Sequence, residues 1–273
     1  MKHEIVSNRQ LSPNVYELKV KAKRIAEIRK AGQFIILRIM EGGERIPLTI
    51  ASSDKANETI TLIVQAVGKT TTKLVELKVG DFISDISGPL GMPTEIMETG
   101  NAICVGGGVG TAVIYPIAQA LKENNVSCTS IIGGRSHEWV ILEDELNGCG
   151  DVIVCTDDGS YGLHGFVTDA LKDELNKGNI DIVYAVGPVP MMRAVANLTK
   201  DYNVHTVVSL NPLMIDGSGM CGGCRVTVDG KTKFACVDGP EFDAHKVDFN
   251  ELSSRLGTYR SLEETAKTHK CKL

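Results

Sequence analysis

The sequence lacks any gathered cluster of cations. Its 29 Lys and Arg are outnumbered by 34 Asp and Glu, for a net charge of −5. Nucleic acid is therefore excluded as an expected partner, because neutralising phosphates takes several grouped positive side chains. No apolar run approaches the ~20 residues that a membrane-crossing helix needs. The opening Met1-Lys-His-Glu-Ile5 also has none of the apolar stretch of a secretory leader. A soluble, cytoplasmic protein with no membrane partner is expected. Internal repeats and low-complexity segments are missing too, and 273 residues leave room for two domains and a small appendage.

Eight cysteines are present, yet no disulfide framework is expected. Cys104, Cys128, Cys149, Cys155 and Cys271 are scattered, and Cys104, Cys128 and Cys155 fall inside apolar strands, where a reduced thiol packs as a small hydrophobe. The other three belong to the most informative stretch of the chain, Asp216-Gly-Ser-Gly-Met-Cys221-Gly-Gly-Cys224, followed by Cys236. Its spacing is that of the C-x4-C-x2-C pattern with a distant fourth Cys that holds a [2Fe-2S] cluster, except that Asp216 occupies the first position. Bridging sulfides need backbone N–H groups turned toward them, and Gly217, Gly219, Gly222 and Gly223 permit so tight a wrap. Asp229-Gly230 predicts a hairpin turn that folds Cys236 back beside the loop. Zinc is the competing ligand, but zinc ribbons usually carry two C-x2-C pairs and the second is missing. For Asp216 the alternatives are direct ligation of iron or capping of the loop, with water, Ser218 or Asp238 completing the shell.

Residues 1–97 predict short strands around Glu4-Ile-Val6, Val15–Val20, Gln33–Ile39, Leu48–Ala51 and Thr59–Val64, interrupted by a helical signal from Thr71, hence a small antiparallel β-barrel. From 98 to 213 apolar strands alternate with amphipathic helices over 111–123, 165–175 and 190–199, the pattern of a doubly wound parallel sheet. The metal loop fills 214–245 and a charged, helix-like tail runs from 246 to 273.

Gly106-Gly107-Gly108-Val109-Gly110-Thr111 lies between the first strand of the α/β half and its first helix, where backbone can approach a pyrophosphate. The acidic residue that holds a ribose hydroxyl about 20 positions later is absent. Gly133-Gly134-Arg135-Ser136 stands there instead, which leaves the choice between NAD and NADP open. Asp157 and the Gly187-Pro188 pair follow later strand ends and are expected to face the same nucleotide, while Met191 and Met192 read as core. In the first half, Arg45 beside Pro47, Leu48 and Thr49 suits a phosphate-bearing ligand. Gln65, Gly68, Thr70 and Thr71 offer a second phosphate contact or a plain helix cap. Gly88-Pro89-Leu90-Gly91 reads as a rigid turn.

In order and spacing, Gly32-Gln33-Phe34, Arg45 to Thr49, Gly68 to Thr72, Gly88 to Gly91, Gly106 to Thr111 and Gly187-Pro188 resemble the ferredoxin-NADP reductase superfamily. The cluster loop narrows the resemblance to the branch with the electron-transfer subunit of dihydroorotate dehydrogenase and the small subunit of NADH-dependent reduced ferredoxin:NADP oxidoreductase. Asp216 in place of Cys is similar to the latter. The resemblance implies FAD in the barrel, with Arg45 at its pyrophosphate, Leu48 and Thr49 along the flavin and ribityl, and Gly68, Thr70 and Thr71 at the phosphates. It further implies NAD(H), or NADP(H), in the α/β domain and a heterodimer with a larger flavoprotein and iron-sulfur subunit that connects indirectly to ferredoxin. Val186 stands where many relatives have a Cys that touches the nicotinamide.

The expected architecture is thus a β-barrel plus α/β chain with a small C-terminal iron-sulfur loop, and the expected function is electron transfer without a catalytic side chain. The alternatives are a dihydroorotate dehydrogenase subunit, distinguished by a fully thiolate loop, and a zinc-stabilised redox-sensing binding module.

Overall fold

The computed structural model describes residues 2–268, so that Cys271 and the end of the expected tail lie outside the described residues. The first half folds into seven antiparallel strands: β1 (His3–Ser12), β2 (Val15–Lys21), β3 (Phe34–Arg38), β4 (Arg45–Asp54), β5 (Thr59–Gln65), β6 (Phe82–Ile83) and β7 (Asp85–Leu90). Their order, β6-β1-β2-β5-β4-β3-β7, makes a nearly closed barrel. The period-two pattern explains it: Ile35 and Leu37 of β3, and Ile60, Leu62 and Val64 of β5, are all fully buried against Leu18 and Val20 of β2. Each such side chain contributes roughly 1.5–3 kcal/mol by leaving water. Two short helices, α1 (Lys23–Ile28) and α2 (Lys69–Val75), cover the barrel.

The second sheet contains β8 (Asn101–Gly107), β9 (Ser127–Gly134), β10 (Asp151–Thr156), β11 (Leu163–His164), β12 (Ile182–Val186) and β13 (His205–Ser209), all parallel. The cysteine hairpin then forms β14 (Arg225–Val228) and β15 (Lys231–Phe234), and β16 (Glu241–Asp243) returns to pair antiparallel with β13. The sheet order is β11-β10-β9-β8-β12-β13-β16, so the chain reverses direction of growth between β8 and β12, which marks the topological switch point. Helices α3 (Thr111–Glu123) and α4 (Glu143–Asn147) lie on one face, α5 (Val167–Lys177) and α6 (Val189–Asp201) on the other. Strand β8 is accordingly apolar on both sides: Ile103 and Val105 join one core cluster, Ala102 and Cys104 the other. The chain continues through α7 (Phe249–Leu256) and α8 (Arg260–Thr268).

Some details differ from the sequence expectation. Gly88 to Leu90 is not a turn but part of β7, where the Gly88–Pro89 bond is cis and Leu90 pairs with Phe34; only Gly91, at φ +77°, turns the chain. Helix α5 starts at Val167 rather than 165 because Gly165 sits at φ +133°, and the Asp169 carboxylate accepts the Phe166 N–H at 2.8 Å instead. Strand β16 carries no local signal of its own, being three residues between a cis Gly239–Pro240 bond and a 3-10 turn.

Candidate functional site

The expected hairpin is present in the expected form. Asp229 at φ +52° and Gly230 at φ +67° make a two-residue turn of the type that matches strand twist. Its register brings Cys236 back onto Cys224, with the two buried sulfurs 3.2 Å apart and the Cys236 N–H aimed at Cys224 Sγ at 3.5 Å. Burial, and then the neighbouring Cys224, push the Cys236 thiol up to about 12, so a bare thiolate there is costly and a metal cation is what would offset it.

A second pair stands beside the first. The Asp216 carboxylate accepts N–H bonds from Ser218 at 2.9 Å and Cys221 at 3.1 Å, and it also contacts the Cys221 thiol. The Ser218 bond, with those from Cys221, holds the carboxyl below its ordinary range and therefore ionised. Among the described residues no three potential ligands converge on one point. The four candidate donors fall into the neighbouring pairs Asp216–Cys221 and Cys224–Cys236, which would suit the two irons of a [2Fe-2S] core. Gly217, Gly219 and Gly222 all have positive φ, as so tight a wrap demands. The donor set thus fits an iron-sulfur core, and the Asp216–Cys221 contact accommodates either ligation or capping by Asp216.

Packing welds this loop to the barrel. A Cβ on Gly217 would lie 2.6 Å from Leu90 Cδ1 and 3.1 Å from Ile36 Cγ1. Ile36 in turn pairs with Pro47, so one β3 residue separates the cysteine loop from β4. Sequence reading missed Ile36 and Leu90, since nothing local distinguishes them from ordinary core.

Along β4 the barrel has a seam. Pairing with β5 begins only at Ile50, leaving Arg45 to Thr49 bonded to β3 alone, and on β5 Gln65 lies beyond Leu62, the last residue paired with β4, while still pairing with Val15 of β2. Pro47, Leu48 and Thr49 are half-buried and Arg45 is exposed at the strand start. Thr70 donates to Glu44, which draws α2 to the same end as Arg45, and Thr71 Oγ1 accepts the Gly68 N–H at 3.0 Å. Arg45, Gly68, Thr70 and Thr71 are thereby brought to one end of an open seam, a shape that fits a long phosphate-bearing cofactor.

At the switch point of the second sheet the glycines allow close approach. A Cβ on Gly110 would stand 2.2 Å from the Val186 carbonyl, and one on Gly106 2.9 Å from Thr111 Cα. Gly108, at φ +55°, has nothing within 4 Å of its Cβ position and faces open space. Thr111 is buried at the start of α3. Gly107 and Gly187 flank Met191, which packs between them beside Pro188, while Met192 is fully buried. Arg135 lies over the Trp139 ring at 5.9 Å, and the Asp157 N–H bonds the Gly134 carbonyl at 3.1 Å, so both gather at the ends of β9 and β10. Val186 is buried and brings no titratable group to this end of β12.

Family models agree with this layout. An oxidoreductase FAD-binding domain matches residues 2–94, an oxidoreductase NAD-binding domain 104–197, and the iron-sulfur cluster binding domain of dihydroorotate dehydrogenase B 211–248. Fold and site together define an oxidoreductase with FAD, nicotinamide-nucleotide and iron-sulfur domains, built for electron transfer. A Thermotoga maritima protein named as a homolog of the dihydroorotate dehydrogenase B (NAD(+)) electron transfer subunit is 45% identical over 96% of this chain and 93% of its own length. The electron transfer subunit of that enzyme from Fusobacterium nucleatum is 32% identical over 89% of this chain and 96% of its own. A solved chain of NADH-dependent reduced ferredoxin-NADP oxidoreductase superposes with a TM-score of 0.92 at 43% identity, covering 98% of this chain and 97% of that one. The chain belongs to the family of dihydroorotate dehydrogenase B electron transfer subunits and their homologues.

Proposed function

We propose that the chain is the smaller subunit of a heterodimer of the NADH-dependent reduced ferredoxin-NADP oxidoreductase kind, exchanging electrons between NAD(H) and a larger flavoprotein and iron-sulfur subunit acting on ferredoxin and NADP. The observation that carries this reading is the pairing of Asp216 with Cys221 and Cys224 with Cys236 against the barrel wall at Ile36 and Leu90. The similarity to a solved subunit of that enzyme supports it further. The names of the Thermotoga and Fusobacterium relatives favour a second reading, a subunit of dihydroorotate dehydrogenase; Asp216 in the first ligand position argues for the former.

In this reading residues 1–97 bind FAD, 98–213 bind NAD(H), 214–245 carry the cluster and the tail from 246 meets the partner. When bound, FAD and a [2Fe-2S] centre supply the conversion between a hydride's electron pair and single electrons. The chain supplies placement. Arg45 offers the pyrophosphate a fixed cation, and Pro47, Leu48, Thr49 and Gln65 line the seam, with Gly68, Thr70 and Thr71 at its end. Gly106, Gly107, Gly108 and Gly110, with Thr111, let a second pyrophosphate reach backbone at the sheet's switch point. Arg135 and Asp157 hold its adenosine side, and Gly187 and Pro188 bound the nicotinamide side. No side chain acts as acid, base or nucleophile. The protein is cytoplasmic in this reading, and among the described residues no helix is long and apolar enough to cross a membrane.

Anaerobic purification tests it. A yellow-brown protein with iron, acid-labile sulfide and FAD, reducing a dye with NADH faster than with NADPH and retaining a larger flavoprotein, is the expected result. Zinc without flavin, or a dihydroorotate-oxidising partner, overturns it.

A further inference from the structure

Gly222 and Gly223 are the two residues between the thiols of Cys221 and Cys224, and each of their carbonyls is held by an arginine. Arg225 Nη1 donates to Gly222 O at 2.8 Å, and Arg255 Nη2, reaching across from α7, donates to Gly223 O at 3.2 Å. The peptide bonds involved are trans, so the N–H groups of Gly223 and Cys224 point away from the two guanidinium groups that hold the carbonyls. Arg255 is itself on a braced element. Phe249 and Leu252 of α7 are buried in the same core cluster as Cys224 and Cys236, and Arg193 of α6 donates to Phe249 O at 3.0 Å and Ser253 Oγ at 3.3 Å.

Two permanently charged groups thus sit one peptide unit from the cysteine pair, in a chain that is otherwise net acidic. A [2Fe-2S] core held by three thiolates and a carboxylate carries excess negative charge, which grows by one on reduction. Nearby fixed positive charge therefore favours the reduced state. From this we propose that Arg225 and Arg255 are positioning residues for the cluster that set the C-x2-C turn and raise its reduction potential. The proposal rests on the iron-sulfur reading above. Through α7 and Arg193 it also ties the turn to α6, whose N-terminus adjoins Gly187 and Pro188.

The test is an EPR-monitored redox titration of the full-length holoprotein, with iron, acid-labile sulfide and FAD quantified in the same samples. Arg225→Gln and Arg255→Gln are each expected to lower the midpoint potential. The double variant should change the reduced-to-oxidised ratio at a fixed potential at least tenfold, which is about 59 mV for one electron. Arg255→Lys, which keeps charge but not the planar fork, should recover most of the shift. NADH-driven flavin reduction should stay within twofold throughout. A double variant with full iron and sulfide and an unmoved midpoint overturns the proposal. Should the double variant not fold, Arg225→Gln decides, since that side chain is exposed; an unmoved midpoint there also overturns it. Wild-type protein without iron and sulfide would instead sink the cluster reading itself.

Discussion

Thr94 Oγ1 donates to Glu241 Oε1 at 2.7 Å, tying the segment that leaves the barrel to the last strand of the nucleotide sheet. Gly32 allows this closeness, since a Cβ there would stand 2.2 Å from Thr94 Oγ1 and 2.8 Å from Glu241 Oε1. Burial, and to a lesser degree the charge of Glu95, push the Glu241 carboxyl up to about 7, although the Thr94 hydroxyl favours the ionised form. The native state then keeps a proton that the unfolded chain has already released, so this group's contribution to stability falls as pH rises from about 4.5 to about 7 and is flat above. Glu241→Gln is expected to remove that slope. Its melting temperature relative to wild type should rise between about pH 5 and about pH 8, and a difference that is constant with pH would refute the assignment.

Gly110→Ala is expected to destabilise the fold by more than about 2 kcal/mol, because the obstacle is the Val186 backbone carbonyl at 2.2 Å and not a mobile side chain. Gly68→Ala, whose nearest neighbour would be Thr71 Oγ1 at 3.8 Å and whose φ is −124°, should cost about 1 kcal/mol or less. Urea unfolding of the two variants checks the contrast.

Asp216→Cys should convert the first ligand from oxygen to sulfur, moving the EPR g-values and lowering the cluster midpoint by at least about 30 mV, roughly threefold in the one-electron ratio. If both stay put, Asp216 caps the loop and does not ligate.

Gly217→Ala places a methyl 2.6 Å from Leu90 Cδ1 on a backbone at φ +75°. Stopped-flow absorbance should show flavin reduction by NADH within about twofold of wild type and cluster reduction slowed about tenfold, because a small displacement of positioned groups costs rate steeply. Adding Leu90→Ala should return part of the rate; no recovery would locate the defect in backbone strain alone.

Much of this molecule was legible in its sequence because the signals were local. The Asp229-Gly230 turn fixes the register that seats Cys236 on Cys224, and the glycine run leads from strand into helix, although Gly106 and Gly107 end β8 itself and only 108–110 form the connecting turn. What stayed hidden depends on residues distant in the chain. Leu90 and Ile36 meet Gly217 only in three dimensions, Arg255 reaches Gly223 from 32 positions away, and Glu241 finds Thr94 across 147. The seam along Arg45 to Thr49 was equally invisible, since the sequence marks a strand only over Leu48–Ala51 and only the pairing of the longer β4 shows where β5 departs.

Strand β16 lies beyond the thiols yet completes the sheet that precedes them, pairing Glu241 with Ser209 and Asp243 with Val207. The sulfur-bearing segment is therefore an insertion whose two ends are both stitched into one layer, not an appendage that can be trimmed. A chain shortened at residue 210 would present a bare parallel edge at β13 together with the apolar surface around Val195 and Val208 that Phe242 and Phe249 help to cover, an invitation to intermolecular strand pairing. Such a truncation should sediment as aggregate instead of yielding a smaller diaphorase, and light scattering after expression would reveal it.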